Sequence, residues 1–190
     1  GCNAVMKRIE KFLYTDCLTV NGRTVGQNLE NTEVRRPEVI KTMEQPQNDR
    51  PGVAIFRGNL SPHGSIVKLS ALPRDMAVFE GPARIYDGED EAIAAIGRKE
   101  IHNGDAIVLR NMGPKGGPGT VFACSFVAAL NGANLASNIA VITDGELSGL
   151  NRGIVIGQVM PEAAAGGPLA VIKNGETIRI DFEKRRMDVI

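Results

Sequence analysis

The sequence predicts a strand-rich α/β domain, a mostly β barrel or sandwich with helices packed outside, preceded by a short helical segment. Short β-branched or apolar runs recur after Pro51, each bounded by Gly, Pro or Asn-Gly, the pattern of strands between turns. Aromatic residues make up 4% of the chain and Trp is absent, so Val, Ile, Leu and Ala must fill the core. Helical patterns fall irregularly among the strands rather than after each one, which argues against a doubly wound sheet.

Taken in order, Ala4 to Leu13 places Val5, Ile9, Phe12 and Leu13 at helical spacing, with charges on the other face. Leu18-Thr19-Val20 reads as a short strand before an Asn21-Gly22 turn, and Val25 to Leu29 as a short helix. Residues 31 to 51 are polar and aperiodic, a surface connector. This divides the chain into a helical segment and connector over residues 1–50 and a barrel-like domain over 51–190.

In the second part, strands are expected at Val53–Phe56, Ser65–Leu69, Met76–Phe79, Ala83–Tyr86, Ala106–Leu109, Ile139–Ile142, Ile154–Val159, Leu169–Ile172 and Thr177–Phe182. Helices are expected after the acids Asp90-Glu91, over Val121 to Leu130, and at Pro161 to Ala165 with Pro in the first position and Gly166 as the stop. Asn174-Gly175 suits a hairpin turn, and Glu183-Lys184-Arg185-Arg186 reads as a solvated strand end.

The 190 residues carry 22 basic and 22 acidic side chains, a formal charge of zero. That balance excludes a nucleic-acid-binding tail and a polybasic membrane patch. No run approaches the roughly 18 to 20 apolar residues of a membrane-spanning helix, and no signal-peptide pattern opens the chain. A cytoplasmic location is expected. The start at Gly1-Cys2-Asn3, without Met, reads as a piece of a longer protein. Cys2, Cys17 and Cys124 form no CxxC, and neither His63 nor His102 has a second ligand type nearby, so a local zinc site is not expected and the thiols read as buried or free.

Three polar segments could carry chemistry. Gly113-Pro114-Lys115-Gly116-Gly117-Pro118-Gly119 follows a strand and precedes a helix, so its backbone could approach an anion closely, with Lys115 adding charge. The spacing is not that of a Walker A loop, and a purely structural turn fits equally well. Thr143 to Gly153 contains Asp144, Glu146 and Ser148-Gly149, without a nucleophile elbow or a local His. Its two acids could bind a cation or face water. Gly58 to Ser65 is a turn with the single His63.

In order, these blocks resemble the C-terminal part of the dihydroxy-acid and sugar-acid dehydratases. The blocks that carry the resemblance include Asp16-Cys17-Leu18-Thr19-Val20-Asn21-Gly22, Gly58-Asn59-Leu60-Ser61-Pro62, Phe79-Glu80-Gly81-Pro82-Ala83, the Gly113–Gly119 loop, Thr143-Asp144-Gly145 with Ser148-Gly149, and Pro161-Glu162-Ala163-Ala164 with Gly166-Gly167-Pro168. Asn151-Arg152-Gly153 and its continuation to Gly157 are closer to the dihydroxy-acid branch.

The resemblance implies a swivelling β/β/α barrel and the dehydration of a 2,3-dihydroxy acid to a 2-keto acid. It makes Ser148 the base that takes the C2 proton. Gly149, Lys115, Gly116 and Gly117 would bind the substrate. An Fe–S cluster and Mg²⁺ would be held mostly by the larger N-terminal part of the same protein, the expected partner along with a hydroxy-acid substrate and further copies of the chain. Neither cofactor is expected on this segment alone.

Two departures stand out. Phe122 occupies the place of the family's Mg²⁺-ligating glutamate, and a phenyl ring cannot ligate a hard cation. Glu146-Leu147 replaces the usual Arg-Phe before the serine. Glu146 could then substitute as the metal ligand; alternatively, the protein is a non-catalytic or altered-specificity paralogue that binds a small carboxylic acid.

Overall fold

A computed structural model describes residues 1–73, 75–117, 119, 124–146 and 153–190. The chain divides into two compact units, Gly1–Asp49 and Arg50–Ile190.

In the first unit, helix α1 (Cys2–Arg8) is shorter than the apolar spacing predicts: it stops at Ile9 and gives way to a 3-10 turn at Glu10–Phe12. No side chain caps α1, and β-branched Ile9 leaves the helical region at its end. Leu18 and Thr24 form a single antiparallel bridge around the Asn21-Gly22 turn instead of a strand. Helix α2 (Val25–Leu29) is fixed at its start by a reciprocal capping box. The Gln27 N–H donates to the Thr24 hydroxyl at 3.1 Å, and the Thr24 N–H donates to the Gln27 carboxamide at 2.9 Å. Much of this unit's apolar surface remains uncovered: Phe12 is 64% exposed, Tyr14 87% and Leu18 77%.

The second unit is the predicted strand-rich barrel. Its strands are β1 (Ala54–Phe56), β2 (Gly64–Val67), β3 (Val78–Tyr86), β4 (Ala106–Leu109), β5 (Ala140–Thr143), β6 (Ile154–Met160), β7 (Thr177–Asp181) and β8 (Arg186–Val189). They hydrogen-bond in the order β1-β2-β6-β5-β4-β3-β7-β8. The four central strands, β6, β5, β4 and β3, are mutually parallel, and the flanking pairs are antiparallel. Helix α3 (Glu89–Gly97) joins β3 to β4, and helix α4 (Cys124–Gly132) lies between β4 and β5.

Strand alternation explains why the central runs are apolar throughout. Ala106 and Val108 of β4, Ala140 and Ile142 of β5, and Ile154 and Ile156 of β6 point into the barrel with Phe56 and Met187. Their neighbours Ile107, Leu109, Val141 and Val155 point outward and pack with Ala92, Phe126 and Leu130 of the helices.

The sheet nearly closes. Just past β1, Arg57 bridges to Arg186 in parallel: the Arg57 N–H donates to the Arg185 carbonyl at 3.0 Å, and the Met187 N–H donates to the Arg57 carbonyl at 2.9 Å. Asn59 continues the seam with its side chain. Its carboxamide donates to the Val189 carbonyl at 2.8 Å and accepts the Val189 N–H at 2.7 Å, while its own N–H donates to Asp188 at 2.8 Å. The hydrogen-bonded Arg186 guanidinium holds the Asp188 carboxyl below the usual aspartate range, so it remains an acceptor. The Gly58 to Pro62 motif therefore closes the barrel.

Gly58 passes so near β8 that a Cβ there would sit 2.0 Å from the Met187 carbonyl oxygen. Because the obstacle is backbone, Gly58→Ala is expected to destabilise the chain by about 2–4 kcal/mol, as overpacking against a rigid partner does. Urea unfolding would measure it; a change under about 0.5 kcal/mol would show that the seam yields.

Several elements depart from the sequence reading. The strands expected at 76–79 and 83–86 form one strand, β3, which starts at Val78 rather than Met76 and runs through Pro82. The Ala83 N–H points towards β7, donating to the Glu176 carbonyl, so the donor that Pro82 lacks faces the other side, ahead of the first β4 residue. Leu169–Ile172 is not a strand; a 3-10 turn occupies Pro168–Ala170. Asn174-Gly175 accordingly makes a turn before β7 but not a hairpin between two strands, and the Asn174 carboxamide accepts the Ile85 N–H. The helix expected from Pro161 to Ala165 is a single 3-10 turn over Ala163–Ala165, with Gly166 left-handed at its end as expected. The charged text after Phe182 conceals β8, whose Met187 is fully buried.

Candidate functional site

Parallel strands bring their carboxyl ends to one side of a sheet, and the loops leaving them make the usual ligand crevice. Here those loops are residues 110–119 after β4, the segment starting at Asp144 after β5, and Pro161–Gly167 after β6. Two buried carboxylates hold them together.

Asp144 is 2% exposed and accepts three backbone N–H groups: Met112 at 2.8 Å and Asn111 at 3.2 Å from the β4 loop, and Ala163 at 2.9 Å from the β6 loop. Buried Glu162 reaches back the other way and accepts the N–H groups of Lys115 at 2.9 Å and Gly116 at 3.3 Å. Gly113 is required by that approach, since a Cβ there would lie 2.3 Å from the Glu162 carboxylate. The glycine loop thus does bind a carboxylate through its backbone, and that carboxylate is Glu162. The sequence pattern held no signal for this pairing, because Pro161-Glu162 reads as a helix start.

A hydrogen-bonded cluster supports the β4 loop from outside. Arg110 pairs with Asp87 at 2.6 Å and holds its carboxyl below the usual range, and the Asn111 carboxamide donates to the same aspartate at 2.9 Å.

The β4 and β5 loops and the end of β6 frame a cavity of about 540 Å³ lined by Pro114, Gly119, Asp144, Glu146, Gln158 and Met160. A smaller cavity of about 150 Å³ adjoins Glu146 and Gln158, with Ile66 and Gly157. Glu146 is partly exposed on this wall, whereas Lys115, Gly116 and Gly117 line neither cavity. Ser148, Gly149 and Phe122 lie outside the described residues. Among the described residues, no three His, Cys, Asp or Glu side chains gather as metal ligands. Cys2 and Cys17 are exposed free thiols.

Gln158, which the sequence reading did not single out, sits on both cavities; its only signal was a polar residue within an apolar strand. The glycine loop and the Asp144–Glu146 loop share one cavity.

No described helix is long and apolar enough to cross a membrane. The chain is 47% identical over its whole length to a dihydroxy-acid dehydratase of Agathobacter rectalis, 46% to one of Acetivibrio thermocellus and 43% to one of Pyrococcus furiosus. It spans about a third of the length of these curated relatives, 34% for the first two and 35% for the third. Residues 38–190 match the family model described as dihydroxy-acid/6-phosphogluconate dehydratase C-terminal. The chain belongs to that dehydratase family, of which it carries the C-terminal part.

Proposed function

We propose that this chain forms one wall of the active site of a hydro-lyase that converts a 2,3-dihydroxy acid into a 2-keto acid and water. The observation that carries the reading is whole-chain identity of 43–47% to dihydroxy-acid dehydratases. The meeting of the family-like loops at a single cavity supports it.

In the reaction, the C2 proton passes to a base, the C3 hydroxyl departs as water, and the resulting enol takes up a proton at C3 to become the keto acid. Ser148 is the base, as its place in the Thr143-Asp144-Gly145…Ser148-Gly149 block indicates, and Gly149 is a substrate-binding residue by the same resemblance. Asp144 acts by position: it fixes the start of the serine loop against the β4 and β6 loops. Lys115 contributes its ammonium to the approach of an acid substrate, since its N–H is already engaged.

The family resemblance implies an Fe–S cluster and Mg²⁺, and the described residues do not fit either as a complete site. Both belong to the remaining two-thirds of the protein in this proposal. Glu146 could offer one carboxylate, and among the described residues no cluster of acidic ligands forms with it: both oxygens of neighbouring Asp144 accept backbone donors. The exposed Phe12, Tyr14 and Leu18 suit contact with that remaining part. A non-catalytic paralogue is the second reading, favoured by Phe122 in the glutamate's place.

Full-length protein incubated with 2,3-dihydroxy acids should form 2-keto acid, detected as its hydrazone. Absence of keto acid from both alkyl and hydroxylated substrates would reject dehydration and leave the second reading.

A further inference from the structure

We propose that Asp87 and Asn111 are positioning residues for the base: from outside the cavity they hold Asp144, and with it the start of the loop that leads to Ser148. The inference rests on the dehydratase reading and adds to it two residues that line neither cavity.

The backbone gives the first reason. Asn111 lies two residues past the end of β4 and has φ of 62°, a left-handed conformation that asparagine tolerates and most residues avoid. A left-handed residue turns successive N–H groups towards one point, the arrangement that cradles an anion. Here the Asn111 and Met112 N–H groups reach the two oxygens of Asp144, one each, at 3.2 and 2.8 Å. This part of the latch therefore depends on the conformation of Asn111, because a right-handed φ would part the two donors.

The side chain gives the second. The Asn111 carboxamide donates to Asp87, the first residue past β3, at 2.9 Å. Arg110 grips the same carboxylate with two donors, Nε at 2.6 Å and Nη2 at 3.2 Å, and the Asp87 N–H donates to the Glu91 carboxylate at 3.1 Å. An ionised acceptor fixed by a guanidinium fork is a firmer anchor than a neutral one. Glycine would take the same φ without strain, so the turn alone does not call for asparagine; the bond to Asp87 does. Hydrogen bonds thus run from Asp87 through Asn111 to Asp144, across the carboxyl ends of β3, β4 and β5.

The test is a double-mutant cycle in the full-length protein: Asp87→Ala, Asn111→Gly and the two together. Either single change should lower kcat about tenfold with KM within about twofold, since a displaced base slows proton removal without removing a binding contact. The double variant should be no slower than the singles, because both changes cut the same bond. Asp87→Asn keeps an acceptor oxygen and should restore kcat to within about threefold of the wild type. Hydrogen exchange reads the latch without turnover. The Asn111 and Met112 amides should exchange about tenfold faster in Asp87→Ala, while those of Lys115 and Gly116, held by Glu162, keep their wild-type rates. Additive losses in the double variant, or lowered stability with unchanged kcat, overturn the proposal. A wild type that forms no keto acid rejects the dehydration reading, and exchange at Asn111 and Met112 then upholds or overturns the anchoring by itself.

Discussion

Asp144→Ala is expected to destabilise the chain by about 3–5 kcal/mol, because it strands three backbone donors, two of them buried, whose acceptor was a carboxylate. Against a typical total stability of about 5–15 kcal/mol, that is enough to unfold much of the population at physiological temperature. Asp144→Asn should cost less, about 2 kcal/mol, since its carboxamide oxygen still accepts but its NH₂ faces a donor. Urea unfolding gives the magnitudes. Hydrogen exchange at Asn111, Met112 and Ala163 gives the location, and these three amides should lose protection first in the Asn variant. If Asp144→Ala unfolds within 0.5 kcal/mol of the wild type, the carboxylate does not hold the three loops together.

This latch explains why part of the site was readable in the sequence and part was not. The strand ends expected at Leu109, Ile142 and Val159 fall within one residue of the observed ends at Leu109, Thr143 and Met160, because the apolar runs stop near a polar residue or proline, so the three loops could be placed from the text. Their mutual attachment could not. Asp144 and Glu162 each act on backbone N–H groups 19 to 47 residues away, and a backbone donor has no letter in the sequence. The glycine loop looked like an anion site because it is one, filled from within by Glu162.

The same limit applies to the fold. Buried parallel strands such as Ala106–Leu109 were legible because apolar residues on both faces leave an unbroken run. Strand β8 was not, because Arg186 and Asp188 pair with each other at the surface and only Met187 marks the inner face. The Gly58 to Pro62 block carried a family likeness without a visible reason; the reason is the seam, where Asn59 substitutes side-chain amide bonds for those of a strand. Gln158 was passed over because it lies at a bulge in β6 opposite β2, and a bulge is a matter of register between two strands that one strand's text does not contain.

The central claim is that this chain supplies the base of a dehydratase, and Ser148→Ala in the full-length protein tests it most directly. A serine hydroxyl is a poor base in water, so its use requires positive charge and aligned donors nearby, which the remainder of the protein would provide. Serine to alanine removes a single hydroxyl, so the variant should preserve the fold and substrate affinity. The C2 proton would then have no acceptor: kcat should fall by about 10²–10⁴-fold, with substrate Kd within about twofold of the wild type. Exchange of the C2 hydrogen with deuterated solvent should disappear in parallel. Turnover and C2 exchange at wild-type rates in the Ser148→Ala protein would contradict the account.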